Sequence, residues 1–224
     1  MLNKIHETKD IIIVNKPAGQ LSQGAKGFDL DLVSEVMTYN ASQGKPAYAA
    51  IINRLDRPVS GLVLIAKNKS AAAKYSTLMQ KEGGFNKQYE ALICGKLSEP
   101  KGTFVDYLKK DGRSNTSAIV PANAAANDKE AKLSKLEYEV ISYDEVKDIT
   151  HVRIHLITGR HHQIRVQFAS RRHPLVGDYK YATADCGMDN AVKAVSLKRN
   201  LIALCAVSLT VDNKTYSVAP EFSI

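Results

Sequence analysis

Residues 53–67 read "NRLDRPVSGLVLIAK", a charged turn running straight into an apolar segment. Residues 48–52, "YAAII", precede it, and its end, residues 62–66, is "LVLIA". Both runs are short, apolar and supplied with β-branched residues, so both read as buried strands. Between them Pro58 removes a backbone donor and Gly61 permits a bend that other residues resist. The stretch is therefore an irregular loop slung between two strands, the arrangement in which rigid scaffolds present functional groups. Asp56 stands in that loop with Arg54 and Arg57 within two residues of it. A nearby cation favours the carboxylate form. Such an aspartate serves as a nucleophile or anion-pairing group, or as one half of a surface ion pair.

The chain has 224 residues and is expected to fold as a single domain, 1–224. A chain of this size buries roughly 70% of its unfolded surface and needs no metal or disulfide to fold. Lys and Arg number 31 against 23 Asp and Glu, a formal charge of +8 that points to an anionic partner, nucleic acid before an anionic membrane. The three cysteines, Cys94, Cys186 and Cys205, are too few and too scattered for a disulfide framework or a zinc site. Cys94 and Cys205 lie in apolar runs and read as small core residues. The first ten residues carry no apolar signal core and no stretch is long enough to cross a membrane, so a cytoplasmic protein is expected. His161 and His162 are the tempting metal pair, but adjacent helical residues point about 100 degrees apart and do not chelate together.

Along the chain, residues 10–19 read as a buried strand ending in a Pro-Gly turn. Residues 28–44 read as a helix with Leu30, Val33 and Met37 on one face and Gly44 near its end. A second helix follows over 68–84, with Ala71, Tyr75, Leu78 and Met79 as its packing face and Gly83 and Gly84 as its stop. Residues 86–97 alternate as a strand, with Tyr89, Ala91 and Ile93 on one side. The Ala- and Asn-rich stretch near 121–131 reads as a flexible loop. "LEYEVISY" and "THVRIHLIT" read as a strand pair, "RHHQIRVQFASR" as a helix, "RRHPLVGDYKYA" as a basic loop, and "NLIALCAVSLTV" with "KTYSVAP" as a closing hairpin. Strands outnumber helices and several are joined by hairpin-length turns. The expected class is α+β on a large, mostly antiparallel mixed sheet with flanking helices.

Four stretches, "NKPAG" (15–19), "NRLDRPVSGLVLIAK" (53–67), "KQYEALICG" (87–95) and "TGRHHQIRVQF…HPLVGD" (158–178), occur in an order that closely resembles the RluA family of RNA pseudouridine synthases. That family carries Lys-Pro-x-Gly, His-Arg-Leu-Asp-x-x-Thr-Ser-Gly, Lys-x-Tyr, Thr-Gly-Arg-x-His-Gln-Ile/Leu-Arg and His-Pro-x-x-Gly-Asp. The resemblance implies the pseudouridine synthase fold with an RNA-binding cleft, no cofactor and no metal. It implies that Asp56 is the catalytic carboxylate, that Tyr89 packs on the target uracil and that Arg165 pairs with the aspartate. Its partner would be RNA, a stem-loop of ribosomal or transfer RNA, bound by a monomer away from any membrane. No S4-type module is legible ahead of the first strand, so target choice is expected to rest with the catalytic domain.

The implied chemistry suits these residue types. Isomerisation breaks the bond from uracil N1 to the ribose, rotates the base and rejoins it through C5, so nothing is oxidised and nothing leaves. An ionised carboxylate, a stacking surface and exclusion of water are what it needs. Arg165 would keep the carboxylate charged, and Tyr89 would stack and assist the proton transfer from C5. A uridine inside a stem must be flipped out, and Arg54 is a candidate to fill the vacated stack or hold a flanking phosphate. His162, Gln163, Arg171, Arg172 and Lys180 are further candidates for RNA contact. Three departures from the family pattern stand out: Asn53 for histidine, Val59 for threonine, and Cys205 for histidine. Two other readings remain. One is a non-catalytic RNA-binding or RNA-folding protein that keeps the cleft. The other is a glycosidic hydrolase, which would need a second carboxylate beside Asp56, with Asp178 as the candidate.

Overall fold

The computed structural model describes residues 2–24, 30–81 and 84–224. In chain order the elements are β1 (Lys4–Glu7), β2 (Ile11–Lys16), α1 (Leu32–Ser42), β3 (Ala50–Ile51), β4 (Ser60–Ala66), α2 (Lys69–Gln80), β5 (Asn86–Cys94), β6 (Lys101–Asp111), β7 (Thr116–Val120), α3 (Ala122–Ala125), β8 (Lys132–Asp144), β9 (Ile149–Leu156), α4 (Gln163–Ala169), α5 (Met188–Ala194), β10 (Leu204–Val211) and β11 (Lys214–Ser217). They form two compact units, one of residues 1–86 with 205–220 and one of residues 87–204 with 221–224. The class is α+β on mostly antiparallel strands, with β10 and β4 forming a parallel pair.

In the first unit the strand after the Asp56 loop is the centre. Every residue of β4 is buried. One edge pairs antiparallel with β2 along its length, Ile11 opposite Ala66 through Lys16 opposite Gly61. The other edge is shared, with Ser60 and Gly61 beside β10 and Ile65 and Ala66 beside β3. Gly61 has φ +117, and a Cβ there would stand 2.5 Å from the backbone N and O of Ala206, so the parallel pairing needs glycine at this point. Ile11, Ile13, Leu62 and Leu64 pack with Ala71 and Tyr75 of α2 and with Leu209 and Val211, while Leu78 and Met79 lie partly buried against them. The packing face expected for the second helix is the observed one. Asn68 caps that helix by accepting the Ala71 N–H at 2.8 Å.

The first helix is displaced from its expected frame. Asp31 is its N-cap, accepting the Ser34 N–H at 2.8 Å, so the helix starts at Leu32 and its buried residues are Leu32, Val36 and Asn40. Leu30 precedes the helix and is 64% exposed, and Met37 is also exposed. The cap sets the phase, and the i, i+4, i+8 row from Leu32 turns inward in place of Leu30, Val33 and Met37. Phe28, Asp29 and Gly83, which entered the sequence reading, lie outside the described residues.

The second unit is an antiparallel ladder in the order β5–β9–β8–β6–β7. Val152, Ile154 and Leu156 are buried along β9, and Arg153 between them is exposed. Phe104 and Tyr138 on one face of the ladder meet Phe168 of α4 at ring-centroid distances of 5.0 and 5.9 Å. That face carries the helix. Pro121 opens the one-turn helix α3 inside the stretch read as a loop.

Candidate active site

Asp56 is half-buried, and the residues on both sides of it are tied to one turn, residues 16–22. On one side Ser22 Oγ donates to the Leu55 carbonyl at 2.7 Å and accepts the Leu55 N–H at 3.2 Å. On the other the Arg57 carbonyl accepts the Gly19 N–H at 2.7 Å, and Arg57 Nε donates to the Gly19 carbonyl at 2.9 Å. The Val59 N–H closes the turn on the Asp56 carbonyl at 3.1 Å. A loop pinned at both neighbours holds in place the backbone from which its carboxylate projects, because the backbone entropy has already been spent in folding.

Sequence reading missed the residue beneath this loop. Lys16, the last residue of β2, is 0% exposed. Its Nζ donates to the carbonyls of Pro17 at 3.0 Å, Gln20 at 2.9 Å and Arg57 at 3.4 Å. Burial pushes its pKa down to about 8, and the Asp56 charge opposes that. The signal in the sequence was a lysine closing a run of buried strand residues.

Asn53, where the family resemblance has histidine, holds the start of the loop. Its Nδ2 donates to the Leu62 carbonyl at 3.0 Å, and its Oδ1 accepts the Leu64 N–H at 2.7 Å. The side-chain amide thus acts as a strand partner for two residues of β4. Val59 is 2% exposed, an apolar core residue where the family has a hydroxyl. Cys205 is 1% exposed and stands opposite Ser60 in register. Arg54 is exposed.

In the second unit, Tyr89 on β5 lies in one cross-strand row with Ile154 and Tyr138. Residues directly opposite share a face, so Tyr89 is on the face that α4 covers, and it is buried. Lys87 shares that face two residues earlier; burial pushes its ammonium down, and its Nζ is 3.6 Å from where a Cβ on Gly159 would stand.

Arg165 is buried on α4. Its Nε and Nη2 donate to Asp178 Oδ2 and Oδ1 at 2.7 and 2.8 Å, a bidentate pair with Asp178 1% exposed. A cation in the first turn of a helix opposes the helix dipole. The buried carboxylate compensates, and the two-point geometry makes that compensation strong. Asp178, weighed as a second acid, is thereby committed to Arg165.

The weaker candidates divide. Gln163 is buried and turned inward: its Oε1 accepts from Thr158 Oγ1 and from the Arg160 N–H at 2.8 and 3.0 Å, and its Nε2 donates to the Lys135 carbonyl at 3.1 Å. Arg171 grips Asp106 at 3.0 and 3.2 Å with its guanidinium 4.0 Å above the Phe104 ring. Lys180 Nζ donates to the carbonyls of Ser114 and Asn115 at 3.3 and 2.9 Å. Arg172 is exposed, with φ 65. His161 and His162 do not diverge as adjacent helical residues would. Both precede the helix, and His162 has φ 53, so their rings stack at 3.8 Å. Among the described residues no cluster of His, Cys, Asp and Glu is arranged to hold a metal, and no helix is long and apolar enough to cross a membrane.

The family model for RNA pseudouridylate synthase matches residues 10–170. Two ribosomal large subunit pseudouridine synthases D are similar: that of Haemophilus ducreyi is 31% identical over 80% of this chain and 52% of its own length, and that of Buchnera aphidicola is 33% identical over 81% and 55%. The chain thus spans about half the length of these relatives. In fold it is similar to human RNA pseudouridylate synthase domain containing 1, with TM-score 0.73, 23% identity and coverage of 99% of this chain and 84% of that one. Human RNA pseudouridylate synthase domain containing 4 gives TM-score 0.76, 18% identity and coverage of 97% and 88%.

Proposed function

The chain belongs to the RNA pseudouridylate synthase family, and from that premise we propose that it isomerises uridine in RNA to pseudouridine, with Asp56 as the catalytic carboxylate. The observation that carries the assignment is the loop itself, pinned at Leu55 and at Arg57 so that the backbone bearing the carboxylate is held in place between them. Three routes use such a group: attack on the ribose C1′, attack on the uracil C6, or removal of a ribose proton. Each needs it ionised. In each, the N1–C1′ bond breaks, the base turns, C5 bonds to C1′, and the C5 proton is lost while N1 gains one.

Tyr89 is the ring on which the uracil rests, and Arg165 the cation that keeps the carboxylate charged, as the family resemblance assigns them. The formal charge of +8 serves phosphate binding, so affinity falls as salt rises. Ribosomal RNA is the preferred substrate, since the relatives named above are ribosomal large subunit enzymes. Arg54, exposed beside Asp56, is the candidate for the stack that the flipped uridine vacates.

The test is tritium release from RNA labelled at uracil C5, with wild type beside Asp56→Ala. Release by the wild type and none by the variant is expected, with RNA affinity retained. Release by Asp56→Ala would remove Asp56 from its role. Salt-dependent RNA binding with no release from ribosomal or transfer RNA would replace the isomerase with a binding protein.

A further inference from the structure

Resting on RNA as the partner, we propose that Lys4 and Lys45 form an anion site, apart from the Asp56 loop, that takes a backbone phosphate of the RNA flanking the target uridine. The site is built around one carboxylate. Glu7, the last residue of β1, accepts from Lys67 and, at 3.2 Å, from Lys45 on Oε1. Its Oε2 accepts from Lys4 at 2.9 Å and from the Tyr39 hydroxyl at 2.8 Å. A carboxylate offers about four lone-pair positions, so these four donors fill it.

The charges around it do not cancel. Lys67 is the buried partner, its side chain 3% exposed, and its ammonium also donates to the Thr8 carbonyl at 3.0 Å. One Lys67 balances one Glu7. Lys4 and Lys45 then stand as two further positive charges, and neither forms an ion pair with any other acid among the described residues. Their protons exceed the acceptors too. An ammonium carries three. Lys4 donates to Glu7 and to the Tyr39 hydroxyl at 2.8 Å, which leaves one, and Lys45 donates to Glu7, which leaves two. Both line a cavity of about 600 Å³ together with Lys9, and Glu7 is the one acid that lines it among the described residues. An anion made only of acceptors, such as a phosphodiester, matches those protons and that charge.

Lys4 is placed in advance. Tyr39 on α1 accepts from its ammonium, donates to Glu7, and sets its ring 5.1 Å from Nζ. A cation already held in position gives up less rotamer freedom when it binds. Strand register separates the site from the catalytic loop. Glu7 stands opposite Ile12, and Ile12 opposite Ile65, whereas the Asp56 loop enters β4 at Ser60. Five residues of strand are roughly 17 Å. The phosphate therefore belongs to the RNA that flanks the uridine at Asp56.

The test is fluorescence anisotropy of a labelled ribosomal RNA stem-loop across a range of salt concentrations. Lys45→Gln is expected to bind about two- to fivefold more weakly than wild type, at an unchanged thermal midpoint. Lys4→Gln combined with Lys45→Gln should bind more weakly still, with the slope of log K against log salt shallower by about 0.7–0.9, the signature of one phosphate. Lys45→Arg should restore binding, and Lys214→Gln, an exposed lysine of β11 outside the cavity, should keep the wild-type slope. A wild-type slope in the double variant would overturn the proposal. An equal fall in Lys214→Gln would do so too, because affinity would then follow net charge alone. So would a loss of binding to phosphatidylserine vesicles with RNA binding intact, which would make the cluster a membrane contact. A wild type that binds RNA but releases no tritium would defeat the isomerase reading instead, and the salt slopes would still decide the phosphate site.

Discussion

Replacing Lys16 by methionine keeps the length of a fully buried side chain and removes its charge and its donors. In the folded protein burial lowers the Lys16 pKa from 10.5 to about 8. Between those two values the unfolded chain still holds a proton that the folded protein has shed. Stability rises with pH wherever the unfolded state binds more protons. Lys16 therefore makes the wild type progressively more stable from about pH 8 to about pH 10.5. At about 1.4 kcal/mol per unit the gain across the window is about 3 kcal/mol. At pH 7 two effects oppose in the variant. The carbonyls of Pro17 and Gln20 lose their donor, at about 1–3 kcal/mol each, while the cost of burying an ammonium disappears. The Arg57 carbonyl is spared, because its Lys16 bond is long at 3.4 Å and it keeps the Gly19 N–H at 2.7 Å. Lys16→Met is thus expected within about 2 kcal/mol of wild type at pH 7. The gap should then widen in favour of the wild type by about 3 kcal/mol toward pH 10.5. Chemical denaturation followed by far-UV circular dichroism at several pH values measures the difference, in which the titration of every other group cancels. The chain has no Trp, and Tyr emission changes in this range, so the backbone signal is the one to follow. A difference that stays flat from pH 8 to 10.5 would refute the argument, and one that narrows would mean that the carbonyl cage outweighs burial.

Two other substitutions test the scaffold of the same loop. Asn53→Ala removes the bonds at 3.0 and 2.7 Å to Leu62 and Leu64 and leaves a buried carbonyl and amide unmatched; a loss of about 2–4 kcal/mol is expected in denaturant melts, and a loss below about 0.5 kcal/mol would show that β4 does not depend on that amide. Gly61→Ala places a Cβ 2.5 Å from the Ala206 backbone at φ +117; a loss of about 4 kcal/mol or more is expected, and a thermal midpoint unchanged from wild type would contradict the parallel pairing of β4 with β10.

What could be read from the sequence follows from periodicity and capping. β2, β4, β5, β9 and the hairpin of β10 with β11 are strongly apolar or cleanly alternating, and α2 has both an Asn cap and an i, i+4 row. β1 and β6 escaped notice because "KIHE" and "KGTFVDYLKKD" are too polar to announce strands; they are strands because β2 and β8 offer ladders to them. For α1 the apolar residues suggested one phase, and the Asp31 cap decided another.

For the candidate site the division is similar. By itself the sequence determined the loop that bears Asp56, the strand that bears Tyr89 and the helix start that bears Arg165, because each lies in a short segment whose own residues dictate its local form. Only the tertiary structure decided the partners: Lys16 under the loop, Asn53 as a surrogate strand partner, Asp178 on one edge of Arg165 and Tyr181 on its face. Those pairs join residues 9 to 41 positions apart. A hydrogen bond across such a distance leaves no local pattern; it exists because packing brings two polar groups into a site without water, where each must find the other.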